Sequence, residues 1–289
     1  MKKIIASLLA ITVLSSMFAF DWPKDNVTSD SYNSYFGQKH GEVLSTSLIF
    51  NEEGEVRTAE EGRLLIIMTD EDEDSDFFPS TLGSSVIIAH NDNLMSVYGN
   101  LDTESITYEQ KKAPNGTVKA KTPIGKSGKS GWIEGNGTLE FQIIDTNNNT
   151  AINPKILMPR SKTEIPLLLT GIMLQNKGGK YFDINKTKTY ENGLYRIYMK
   201  RNDVASPYKT SVAINGITID QITYDTISQE NGKSCVSGKK KYTSKDIYPT
   251  EELQLLGEIN LTPGKATLTL YSEDILGKSI QLNYYISIY

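Results

Sequence analysis

What most limits this chain is an absence: past its first twenty residues, no stretch carries the 3.6-residue apolar repeat of an amphipathic helix. Short alternating or wholly apolar runs take its place. They lie at Arg63 to Met68, Ser85 to His90, Leu94 to Tyr98, Thr138 to Ile144, Leu194 to Met199, Ser211 to Ile214, Ala266 to Tyr271 and Ile280 to Ile288, and most are closed by Gly, Asn, Asp or Pro. Such runs are long enough for strands and too short for stable helices. Asn-Gly pairs at 115–116, 136–137, 192–193, 215–216 and 231–232 supply residues suited to tight turns between strands. The expected fold is all-β, as a barrel-like sheet or a sandwich.

Composition removes several chemistries. The 289 residues include one cysteine, Cys235, and two histidines, His40 and His90. No disulfide framework, multi-cysteine zinc knuckle or three-imidazole mechanism can be built from that set. A net charge of −5 argues against a nucleic-acid binder held by phosphate contacts. The charge is unevenly spread. Residues 21–160 hold 22 acidic against 12 basic side chains, and residues 161–289 hold 13 against 16. That asymmetry predicts two modules, with Pro159, Pro166, Gly171, Gly178 and Gly179 punctuating the join. The expected division is a module at 21–160, a linker at 161–179 and a second module at 180–289.

Residues 1–20 read as a secretory signal. Lys2 and Lys3 precede an apolar run from Ile4 to Leu14, and Ser15, Ser16 and Ala19 lead to a cut between Ala19 and Trp22. The run is too short to span a bilayer, as is the apolar stretch Ile165 to Leu174. A periplasmic or secreted protein, with no transmembrane segment after signal cleavage, is the expectation.

An ordered series of pieces marks the first module. Phe36-Gly37 is followed by Gly54 through Ala59 to Gly62, then Ser85-Val-Ile-Ile-Ala-His90, Met95-Ser-Val-Tyr98-Gly-Asn-Leu101 and Gly116-Thr-Val118. Pro123-Ile-Gly125-Lys-Ser-Gly128-Lys-Ser-Gly131 and Leu139-Glu-Phe141 come next, and Asn153-Pro154 closes the series. Gly125, Gly128 and Gly131 are expected where the sheet turns sharply, at positive φ. In this order residues 36–157 resemble the LytM/lysostaphin-type peptidoglycan endopeptidases. The resemblance implies a β module whose relatives cut peptide cross-links with one zinc. A His-x-x-x-Asp pair and the second His of a His-x-His strand hold that metal. A Tyr-x-His-Leu histidine and the first His of His-x-His move protons.

Carried onto this chain, the His-x-x-x-Asp pair falls on Leu44 and Leu48, or on a neighbouring register within Val43 to Ile49, and Val43 to Phe50 contains no His or Asp in any register. Tyr-x-His-Leu falls on Tyr98-Gly99-Asn100-Leu101, and His-x-His on Thr138-Leu139-Glu140. Zinc needs N, S or O donors in near-tetrahedral array. The resemblance therefore implies a lost zinc site, no cofactor and no catalytic residue. A ligand groove is expected at His90, Tyr98, Asn100, Trp132, Thr138, Glu140 and Gln142. His90 reads equally as a structural histidine bonded to backbone, and Trp132 as a loop anchor rather than a stacking face.

Asp70 to Asp76 reads as a solvated acidic hairpin, with calcium binding as the alternative. Lys239-Lys240-Lys241 reads as a solvated loop. Residues 180–289 resemble the immunoglobulin-like modules of bacterial exported proteins. The residues that carry this are Asn192-Gly-Leu-Tyr195-Arg-Ile-Tyr198, Leu261-Thr-Pro-Gly264 and Leu268-Thr-Leu-Tyr271-Ser-Glu-Asp274-Ile-Leu-Gly277. The implied function is a non-catalytic cell-envelope factor that binds peptidoglycan or a protein partner such as a cell-wall amidase. Two alternatives stay open. One is a zinc endopeptidase with atypical ligands, His40 and Glu140. The other is a structural or adhesion protein acting through residues 180–289.

Overall fold

Each apolar run becomes a strand, its ends displaced by at most two residues. The structure is a computed structural model, and it describes residues 20–69, 80–106, 116–133, 138–202 and 205–289. The signal segment up to residue 19, the acidic run 70–76, Asn115 and the Asn-Gly pair at 136–137 lie outside the described residues. Phe20, placed with the signal by sequence, is buried and packs its ring edge-on against His90, so it belongs to the core.

The first half contains β1 (Tyr32–Ser34), β2 (Lys39–His40), β3 (Val43–Leu44), β4 (Leu48–Phe50), β5 (Glu55–Arg57), β6 (Gly62–Met68), β7 (Ser85–Ala89), β8 (Leu94–Gly99), β9 (Thr117–Val118), β10 (Pro123–Lys126), β11 (Leu139–Asp145) and β12 (Thr150–Ile152). β9, β6, β7, β8 and β11 form an antiparallel series, and β4 and β12 both pair with β11. Side chains alternate across each strand. A row of register partners, Val86, Tyr98, Phe141 and Leu48, is therefore buried together. The Tyr98 and Phe141 rings lie 5.3 Å apart in that row.

The second half contains β13 (Met173–Asn176), β14 (Tyr181–Asp183), β15 (Thr189–Tyr190), β16 (Gly193–Lys200), β17 (Lys209–Ile214), β18 (Ile217–Glu230), β19 (Lys233–Ser237), β20 (Lys241–Thr243), β21 (Leu253–Leu261), β22 (Gly264–Glu273) and β23 (Ser279–Ile288). One sheet runs β14-β13-β16-β21, and the facing sheet includes β15-β23-β22-β17-β18. Leu174, Ile197 and Ile259 of the first meet Val212, Leu268 and Ile286 of the second in one core. Asn215-Gly216 and Asn231-Gly232 turn at φ of 50° and 81°, and 51° and 75°, as hairpin turns require. Asn192-Gly193 does not close a hairpin: β15, before it, lies parallel to β23. Among the described residues no helix is long and apolar enough to cross a membrane.

Two expectations need correction. The segment expected as a linker is partly built into the second half. Leu167, Leu169, Ile172 and Leu174 are buried while Leu168 faces out, and Met173–Asn176 pairs with β16. Apolar alternation won over the Pro and Gly punctuation. Nor are the halves joined only by a tether. β12 pairs with β18 through Thr150 to Ser228, Ala151 to Ile227 and Ile152 to Thr226, so one sheet runs through both. One hydrophobic cluster likewise joins Phe36, Leu48 and Phe141 to Tyr198, Tyr224 and Tyr248. The charge asymmetry describes the two surfaces and does not report their separation.

Candidate functional site

The outward face of β11 floors an open groove of about 550 Å³. Core-facing Leu139, Phe141 and Ile143 alternate with Glu140 and Gln142, which point into that groove. One wall is the β2–β3 hairpin and its continuation, with His40, Val43, Ser45 and Ser47. The other wall is Thr81 and Leu82 beside Trp132 and Ile133.

That second wall is two loops held flush. Ser84 N–H donates to Ser130 Oγ (2.9 Å), and Ser130 Oγ donates to Leu101 O (2.7 Å). Trp132 N–H donates to Thr81 O (3.0 Å). The glycine expectation is corrected here in part. Gly125 has φ of 152°, whereas Gly128 and Gly131 are not at positive φ. Gly128 is needed for close approach: a Cβ there would sit 2.4 Å from Asp102 N.

The structure sorts the residues expected in the groove. Trp132, 57% exposed, Glu140 and Gln142 line it. Gln142 Nε2 donates to Glu140 Oε1 at 2.8 Å, which fixes the carboxylate. Asn100 and Thr138 do not face the groove; both are buried. Asn100 sits at φ of 61°, in the left-handed region that Asn tolerates. Its Nδ2 donates to Gly128 O, Thr138 O and Thr138 Oγ1, and its Oδ1 accepts from Gly131 N–H. It is the staple that holds the Trp132 loop.

His90 and Tyr98 are also away from the groove, on the core side of the sheet. The Tyr98 hydroxyl accepts from Ala59 N–H (2.7 Å) and lies 3.1 Å from Ser96 Oγ, which in turn contacts His90 Nε2 at 2.7 Å. His90 Nδ1 faces the Glu61 carbonyl at 3.0 Å, an acceptor, so that nitrogen donates. Burial pushes the His90 pKa down and the Tyr98 pKa up to about 12. His90 is the backbone-bonded structural histidine.

A pH dependence follows. The fold favours neutral His90, so its contribution is intact above the ordinary histidine value, about 6.5, and is lost as pH falls below that through the folded value. The urea midpoint is expected to fall between about pH 6.5 and pH 5, and His90→Gln to flatten that segment. An identical slope in the variant refutes the assignment.

Leu44 and Leu48 are the residues onto which the resemblance carries the family's first two metal ligands. Leu44 is buried, and its N–H donates to Ser234 Oγ of the second half (3.0 Å). Leu48 is fully buried in the core row. The donor set thus comprises two aliphatic side chains, a fully bonded carboxamide, a buried threonine and one carboxylate. Zinc does not fit it. Among the described residues no group of three or more His, Cys, Asp or Glu converges as a metal set. His40 and Glu140 do share the groove, but as two donors. Sequence reasoning missed Val43 and Leu82 as walls; the β2–β3 turn places Val43, and Leu82 is placed by the close approach of Gly83, where a Cβ would sit 2.3 Å from Gly131 N.

Comparison with known proteins agrees with the first-half resemblance. Residues 45–154 match the model of Peptidase family M23. A second family model, without a functional description, matches residues 166–289. An uncharacterized protein of Treponema pallidum (strain Nichols) is 32% identical over 137 residues, which are 45% of this chain and 89% of that protein. Among solved structures, a zinc-containing peptidase from Vibrio cholerae is 20% identical over 51% of this chain and 41% of its own length, with a TM-score of 0.37. Lysostaphin is 17% identical over 80% of this chain and 97% of its own, with a TM-score of 0.34. The chain belongs to one family with the Treponema protein, and its residues 45–154 are an M23, LytM-type domain.

Proposed function

We propose that this chain is an exported, non-catalytic cell-envelope protein whose M23-type domain binds peptidoglycan, or an envelope partner such as a cell-wall amidase, without cutting it. One observation carries the reading: each position that matches a zinc donor or proton carrier is committed to another task. Leu44 and Leu48 pack the core, Asn100 and Thr138 bond each other, and Glu140 is fixed by Gln142. Without a metal to polarise the scissile carbonyl and lower the pKa of water, and with no imidazole at Asn100 or Thr138, hydrolysis has no agent. The groove itself remains open, with the Trp132 indole on a loop wall and the Glu140 carboxylate on the sheet floor.

Two measurements test this. Metal analysis of protein purified and exchanged with zinc should find far less than one zinc per chain, and muropeptide digestion should release no product. In a pull-down with peptidoglycan sacculi, wild type should be captured, and Trp132→Ala should weaken capture by roughly tenfold, as expected of an aromatic anchor. Stoichiometric zinc with turnover refutes the non-catalytic reading; equal capture of both proteins removes Trp132 from the site.

A further inference from the structure

We propose that the groove selects a peptide carrying a primary ammonium, and that its source is the free side-chain amine of an un-cross-linked peptidoglycan stem. This rests on the binding reading above and names what that site takes. The argument begins with Glu140. Gln142 occupies Oε1 at 2.8 Å, and among the described residues Oε2 has no partner. An oriented carboxylate with one open oxygen is a poor metal site but a sufficient seat for an ammonium, which asks only for acceptors and no tetrahedral donor set.

Trp132, 57% exposed, lines the same groove. An indole face attracts an ammonium through its ring quadrupole. Val43, half exposed, and Leu82 and Ile133 offer apolar walls on which the methylene stem of a lysine-like side chain can pack. Among the described residues no Lys or Arg lines the groove, and His40 is the one basic side chain there. Residues 21–160 hold 22 acidic against 12 basic side chains, so the long-range field of this half also draws in cations. The family's divalent ion would thus be replaced by an organic cation held by one carboxylate and one aromatic face.

The test compares two capped tetrapeptides, acetyl-Ala-Ala-Lys-Ala-amide and its norleucine twin, titrated into the full-length protein by calorimetry at low salt. The lysine peptide is expected to bind at least tenfold tighter. Glu140→Gln should abolish that preference, and raised salt should shrink it in wild type. Melting curves of the variant alongside wild type confirm that it is folded. In the second arm, sacculi whose free amines have been acetylated should be captured about tenfold less than untreated sacculi. Equal affinities for the two peptides, an undiminished preference in Glu140→Gln, or binding of neither peptide overturns the ammonium site. Equal capture of acetylated and untreated sacculi overturns the stem as its source. Capture of sacculi without any amine preference defeats this inference and spares the binding reading, whereas zinc-dependent turnover defeats the reading itself.

Discussion

Asn100→Asp should lose about 3 kcal/mol of stability although the change is isosteric. Aspartate tolerates the left-handed backbone nearly as well as asparagine, so the φ of 61° isolates the electrostatics. The fully buried Nδ2 points at the Gly128 and Thr138 carbonyl oxygens. A carboxylate there sets oxygen against oxygen and leaves a buried charge unpaired, which costs more than a lost neutral bond. Urea denaturation at pH 7 measures the loss, and amide exchange at Gly131, whose N–H donates to Asn100 Oδ1, should accelerate. A loss below about 1 kcal/mol would show that the loop holding Trp132 is supported elsewhere.

The second large effect lies on the seam. Tyr224→Ala should cost about 4 kcal/mol, as for other buried aromatic truncations. Tyr224 is fully buried, its hydroxyl accepts from Gln254 Nε2 (3.1 Å), and its carbonyl accepts from Asn153 Nδ2 (3.0 Å). Its ring packs on Gly37, where a Cβ would sit 2.7 Å from the ring, and Tyr248 donates to the Gly37 carbonyl at 3.0 Å. Because these contacts span both halves, wild type should unfold in one transition seen alike by near-ultraviolet and far-ultraviolet circular dichroism. Two separated transitions in wild type would refute the shared core.

Much of the strand inventory was legible, because a period of two is a property of neighbouring residues. Leu139, Phe141 and Ile143 announce their burial by alternation with Glu140 and Gln142, whereas Tyr98, expected in the groove, shows its burial only in the structure. The seam was not legible, because which strand lies beside β12 is decided some 75 residues later, by Thr226 to Ser228. In the site, the sequence shows directly that Val43 to Phe50 offers no His or Asp. The role of Asn100 could not be read in this way, because a polar residue in a motif looks the same whether it faces a ligand or staples a loop. His90 shows the same ambiguity, resolved only by the Glu61 carbonyl and Ser96 on either side of its ring.

The β12–β18 pairing also bears on handling the protein in pieces. A fragment ending near residue 160 would bare the backbone of Thr150–Ile152, and its complement would bare the matching stretch of β18. Both are open strand edges beside uncovered apolar surface, the arrangement that invites chains to stick to one another. Cleavage near the charge boundary is therefore expected to give aggregates rather than two tractable domains.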